Sequence, residues 1–201
     1  KFLKTADNKR VRFLSSEQAD SLLDELKDRS QQLHDICQLS LFTGMRMGEV
    51  FNLKWNDVDL EHNSISIKDP KSGAGRNAYI TPLLSKLFQR MKKNTPTAKE
   101  LIFKDRNGKK IREISNVFEK VTEKLGFNKD VTDQRDKVVA HTLRHTFASW
   151  LAMQGEPIIT IQKLMGHSSL EMTLRYAHLS PSHERDAVIK LATGKRNKVV
   201  N

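Results

Sequence analysis

The side chains that could do chemistry gather in three short segments of this 201-residue sequence. They are Thr43-Gly44-Met45-Arg46-Met47-Gly48-Glu49, His141-Thr142-Leu143-Arg144-His145-Thr146, and Leu164-Met165-Gly166-His167-Ser168-Ser169 followed by Thr173-Leu174-Arg175-Tyr176. Planar guanidinium groups bind pairs of anionic oxygens through charge-assisted hydrogen bonds. A phenol is mostly protonated at neutral pH and becomes a nucleophile as it loses that proton. His141 and Arg144 stand one helical turn apart, so a helix would put them on one face. Each residue also has a plainer reading. Arg46 can pair with Glu49 three residues on, His167 can close a helix after Gly166, and Tyr176 can pack with its hydroxyl at the surface.

The rest of the composition narrows the classes. There is no G-x-x-x-x-G-K phosphate loop, no compact acidic set for two magnesium ions, and no histidine and cysteine pattern of a zinc site. The formal charge is +11, from 35 Lys and Arg against 24 Asp and Glu. That surplus points to a polyanionic partner bound through counterion release, a property that RNA binders and membrane-surface proteins share. No apolar run approaches the roughly 20 residues of a spanning helix, and no secretory signal is visible. The single cysteine, Cys37, cannot form an internal disulfide, which fits a reducing compartment such as cytoplasm.

In order and spacing, the three segments closely resemble the signature boxes of the tyrosine recombinases, or phage integrases, over about Leu14 to Leu179. In that family two arginines, a lysine, two histidines and a tyrosine surround one phosphodiester. Carried over, they are Arg46, Lys71, His141, Arg144, His167 and Tyr176. Lys71 is placed only by its position in a β-hairpin, with Lys68 as the alternative. The resemblance implies that Tyr176 attacks the phosphorus to give a 3′-phosphotyrosine and a free 5′ hydroxyl, with Arg46 and Arg144 on the non-bridging oxygens. His141 would act as base or hydrogen-bond partner, Lys71 would protonate the leaving oxygen, and His167 would bond a phosphate oxygen. Glu49 is read as a support for Arg46, and His145 as a supporting residue that bonds helix-end groups or solvent. The covalent link keeps the phosphodiester energy, so no cofactor and no metal are expected.

The elements that must position these residues follow from pattern. Ser15-Ser16-Glu17-Gln18 reads as a capped helix start ahead of the Leu22, Leu23, Leu26 stripe. Helices are predicted over Leu33 to Phe42 and Met47 to Leu53, so Arg46 falls at their junction. Ile65 and Ile67 alternate into a strand, Pro70 to Gly75 forms a basic turn, and Asn77 to Thr81 returns, with Tyr79 packed. Leu83 to Met91 and Ile114 to Leu125 read as helices, with Leu101 to Phe103 as a short strand and Asp105 to Gly108 as a turn between them. A helix from about Thr142 to Met153 carries the second box. Pro157 to Gly166 bounds the next, and Ser168 or Ser169 caps a further helix carrying Tyr176. Trp55 and Trp150 are read as core.

The fold class expected is α+β, mainly α, with a small antiparallel sheet of about three strands at one edge. Residues 1–180 would form the catalytic domain. Residues 181–201 would form a C-terminal helix, Ser182 to Leu191, and a basic tail that contacts a neighbouring subunit. The chain begins at Lys1 rather than Met, so it is expected to lie inside a longer protein whose N-terminal DNA-clamping domain is absent here. The partner expected is double-stranded DNA, bound by a homotetramer on paired sites in the full protein and by a monomer of this domain alone. Two rival readings are a type IB topoisomerase, which uses a similar residue set, and a non-catalytic DNA-binding module of the same fold.

Overall fold

The computed structural model describes residues 11–68, 75–92, 97–181 and 188–189. Helix α1 (Ser16–Arg29) starts where expected. Ser15 accepts the backbone N–H of Gln18, and the Gln18 side chain accepts that of Ser15. Helix α2 (Gln31–Thr43) buries residues on nearly every side, as an inner helix must. It packs against α1 and against α6 (Ala140–Met153), the helix of the second box. Leu39 of α2 faces one core cluster with Met45, Ile65 and Phe88, while Leu33, Cys37 and Leu41 face another with Leu22, Leu26 and Leu143. Buried Asp35 ties α2 to α4 (Pro82–Met91) by accepting from Arg90 at 2.6 Å, and within α2 it accepts from Gln31 at 2.9 Å.

The sheet is an antiparallel meander of β1 (Val58–Asp59), β2 (Ser64–Ile67) and β3 (Arg76–Tyr79). Ile65 opposes Val58 on one side and Ala78 on the other, so the buried residues of all three strands fall on one face. That alternation sends Tyr79 outward, and it is 63% exposed rather than packed. Leu101 to Phe103 do not form a strand. Leu101 makes a single bridge to Lys54, because the chain after Lys54 turns at once into a 3-10 segment, Trp55–Asp57. Trp55 and Trp150 are half-buried, with Trp55 edge-on to Phe88 and Trp150 donating to the Leu14 carbonyl.

Short α3 (Met47–Phe51) follows the first box, and α5 (Val117–Lys124) is shorter than its apolar period suggests. Helix α7 (Ile158–Met165) begins after Pro157 and ends at Gly166, which adopts the left-handed conformation with φ of 60°. The helix expected to carry Tyr176 stops early. Helix α8 is only Glu171–Leu174, no serine caps it, and Tyr176 lies between it and a 3-10 turn at Ala177–Leu179. The Tyr176 N–H reaches back three residues to Thr173, the tighter 3-10 pattern, which twists the segment away from α-helical phase. Lys71 and all of residues 182–201 except Val188 and Ile189 lie outside the described residues. No described helix is long and apolar enough to cross a membrane.

Candidate active site

The ends of α2 and α7, the start of α3, strand β3, helix α6 and the segment after α8 converge on the chemistry-bearing residues. Helix α2 ends at Gly44, where φ of 67° turns the chain sharply. Met45 is then buried, and Arg46 is extended at the N-terminus of α3. Glu49, one turn into α3, accepts the Arg46 backbone N–H at 2.7 Å and its guanidinium at 3.0 Å. The same carboxylate is gripped from the sheet, where Arg76 donates to both its oxygens at 2.8 and 2.7 Å. The Nε of Arg76 also donates to the Leu164 carbonyl at 3.0 Å, which fastens β3 to the end of α7. Burial is the largest single influence on Glu49 and opposes its charge, but Arg76, the Arg46 backbone N–H and Arg144 together hold its pKa below the ordinary carboxylate value.

Arg144 is only 2% exposed. Its guanidinium donates to the Gly44 carbonyl at the end of α2 and to the Met165 carbonyl at the end of α7, the latter at 2.5 Å. It thereby caps two helix C-termini, where backbone carbonyls concentrate negative charge. Burial and the nearby Arg46 and Arg76 charges press its pKa down to about 9, which leaves it cationic at neutral pH. Arg46 extends toward the same corner, 3.5 Å from the Gly166 carbonyl.

The histidines sit around this cationic corner and stay uncharged. His167 follows Gly166, with Nδ1 2.9 Å from the Thr173 hydroxyl, and burial, then Arg144, Arg46 and Arg175, push its pKa down to about 4. His141 is exposed on the first turn of α6, its pKa lowered by partial desolvation and then by Arg144 and Arg46. Its ring stands perpendicular to that of His145, centroids 4.6 Å apart. His145 is not a helix-end or solvent-bonded residue: its Nδ1 lies 2.6 Å from the Tyr176 hydroxyl. Burial, then His141 and Arg175, push its pKa to about 3. Tyr176 is 1% exposed, its hydroxyl covered rather than at the surface, and burial raises its pKa to about 12.

The structure therefore brings Arg46, Glu49, Arg144, His167, His141, His145 and Tyr176 together. Lys68 is exposed, 3.9 Å from Asp57, on a cleft of about 770 Å³ that Arg46 and Glu49 also line. Two members were not assigned from sequence. Arg76 had a signal, since alternation places it on the same face as Ala78 and Ile80, and a charge in that register needs a buried partner. Arg175 is exposed beside Tyr176, and its charge acts on all three site histidines. With Arg46, Arg76, Arg144 and Arg175 set against one carboxylate, the corner can hold an anion with paired oxygens and draw charge out of its phosphorus. Among the described residues no cluster of His, Cys, Asp and Glu could hold a metal ion.

Comparison with known proteins gives the same reading of the fold. The chain is 30% identical over 181 residues to an integrase of Salmonella phage P22, covering 88% of this chain and 46% of that protein. It is 31% identical over 181 residues to a tyrosine recombinase of Thermosipho africanus, covering 89% of this chain and 61% of that one. The catalytic domain of bacteriophage HP1 integrase superposes with a TM-score of 0.70 at 28% identity, covering 93% of this chain and 100% of that domain. The chain thus spans about half the length of the phage relative and three-fifths of the bacterial one. The model of the phage integrase family matches residues 12–183, and the chain belongs to that family.

Proposed function

We propose, with that membership as the premise, that this chain is the catalytic part of a site-specific DNA recombinase, acting in the integration or excision of a mobile element. The observation that carries the reading is the cationic corner of Arg46 and Arg144, set beside a phenol at Tyr176 and neutral imidazoles. A phosphodiester placed there has its non-bridging oxygens on the two guanidiniums. The Tyr176 oxygen attacks phosphorus, the bond to the 5′ oxygen breaks, and the 3′ side stays on the protein. The phenol proton leaves toward His141, as base or hydrogen-bond partner. The 5′ oxygen takes its proton from Lys71 or Lys68. Neutral His167 donates to a phosphate oxygen while its other nitrogen faces Thr173.

One phosphodiester is exchanged for another ester of similar energy, so a second 5′ hydroxyl can reverse the step without ATP. Double-stranded DNA is the partner in this reading, and a homotetramer on paired sites is the working assembly, the protein acting in the cytoplasm of a bacterial host. In this scheme Arg46, Lys71, His141, Arg144, His167 and Tyr176 are the catalytic set, and Glu49 supports Arg46. The test is a paired-site assay with the full-length protein on DNA carrying its element's ends, beside relaxation of a supercoiled plasmid lacking them. Joined products from wild type and none from Tyr176→Phe are expected. Relaxation without any joined product would overturn the recombinase reading in favour of a topoisomerase.

A further inference from the structure

The nucleophile in this structure is in no position to react. Tyr176 is 1% exposed, and its ring fills a small core with Ala148, Ala152, Ile161 and Met165. A phosphate of duplex DNA cannot enter that core, so the phenol must come out to reach it. We propose that His145 is the latch that holds Tyr176 in this resting seat, and that engaging DNA requires the bond between them to break. His145 is then a positioning residue for the reaction proposed above, on which this inference rests.

The chemistry of the pair, rather than its spacing, sets which way the bond runs in this proposal. A buried hydroxyl needs an acceptor, and among the described residues the atom within reach of the Tyr176 oxygen is His145 Nδ1 at 2.6 Å. The phenol therefore donates, Nδ1 accepts with its lone pair, and the ring hydrogen sits on Nε2. The proton stays on oxygen, because the phenol pKa is about 12 and that of the imidazole about 3. A pair so mismatched is a poor acid–base couple, so the short contact holds the phenol without activating it.

Release is cheap at the other end. Tyr176 hangs between a four-residue helix and a three-residue 3-10 turn. The neighbouring Leu170, Met172 and Leu174 are exposed and add little to the core. Apart from Thr173, the tyrosine side chain is the part of its segment that is buried, and among the described residues the His145 bond is the polar contact of its hydroxyl. Losing one such bond shifts an open–closed equilibrium severalfold to tenfold, enough to matter for a segment this short.

The test needs no DNA, so its failure is separable from a failure of the recombinase reading. The chain has two tyrosines, and Tyr79 is exposed, so acetylation by N-acetylimidazole with peptide mapping compares them within one molecule. Buried Cys37, the one cysteine, reports global opening through its reaction with a thiol reagent. In the wild-type chain Tyr79 should react and Tyr176 should not. In His145→Ala, Tyr176 should react about tenfold faster with Cys37 still protected, and His145→Gln, which keeps an acceptor, should restore part of the protection. Equal protection of Tyr176 in wild type and His145→Ala overturns the latch. If Cys37 opens in step with Tyr176, the variant has unfolded, and nitrogen NMR of the wild-type imidazoles decides. A bare Nδ1 on His145 sustains the latch, and a protonated one overturns it.

Discussion

Two arginines that the sequence presents as equivalents differ in physical situation. The Arg46 side chain is 38% exposed and leans on Glu49, whereas Arg144 is buried and caps two helices with its guanidinium. Arg46→Gln should therefore slow covalent attachment to DNA by about a hundredfold or more while leaving the denaturation midpoint near wild type, as for loss of one charge-stabilising donor. Arg144→Gln should lose both activity and stability, and chemical denaturation run beside an attachment assay separates the two. The neutral histidines carry their own signature. His145 and His167 have pKa values of about 3 and about 4 in the folded chain against an ordinary 6.5. The unfolded chain therefore takes up protons first as pH falls, so their contribution is complete above pH 6.5 and is lost on going down from there. The urea midpoint should hold steady from pH 8 to about 7 and fall between about 6.5 and 4.5, before most carboxylates titrate. His167→Gln should flatten that slope, and a wild-type midpoint unchanged across the window would contradict the burial of neutral imidazoles.

At the scale of elements, the site is assembled by helix ends, and glycines let those ends meet. Gly166 has φ of 60°, and a Cβ there would stand 2.7 Å from the Cδ of Arg76. Gly166→Ala should cost about 1–2 kcal/mol for the left-handed backbone alone. It should also push Arg76 off Glu49, so attachment to DNA should fall more than the change in unfolding midpoint explains. Activity tracking stability alone would show that the Arg76–Glu49–Arg46 chain does not position the site. Much of this was legible beforehand. The helix break at Thr43-Gly44, the stop at Gly166 and the alternation of Ile65 and Ile67 all leave local marks, and all appear in the structure. What the sequence hid depends on long-range contact. Alternation marks Arg76 as a charge on the buried face of its strand, but its partner Glu49, 27 positions away, has no local mark. The early end of α8 is set by seating Tyr176 in the core rather than by any cap or breaker, and the outward Tyr79 follows from which strand face meets the core. Lys71 against Lys68 is undecided by pattern because a basic turn has no periodicity to read.

For the whole molecule, charge and extent set the behaviour on DNA. A formal charge of +11 predicts affinity that drops steeply with salt as counterions are released. A chain spanning 46% of one relative and 61% of another should offer only part of the contact surface. Binding of this chain to two unrelated duplexes, followed by fluorescence anisotropy across a salt series, should be weak, nearly equal for both and strongly salt-dependent. Tight binding to one sequence alone would contradict that. The central claim is that one phenol, out of two in the chain, exchanges places with a 5′ oxygen on phosphorus. Its most direct measurement is to incubate the protein with nicked duplexes of randomised sequence, digest the covalent product and locate the nucleotide by mass spectrometry. The expected finding is a nucleotide joined through its 3′ phosphate to Tyr176, absent from Tyr176→Phe. A nucleotide on Tyr79 or any other residue, or one joined through a 5′ phosphate, would contradict the account.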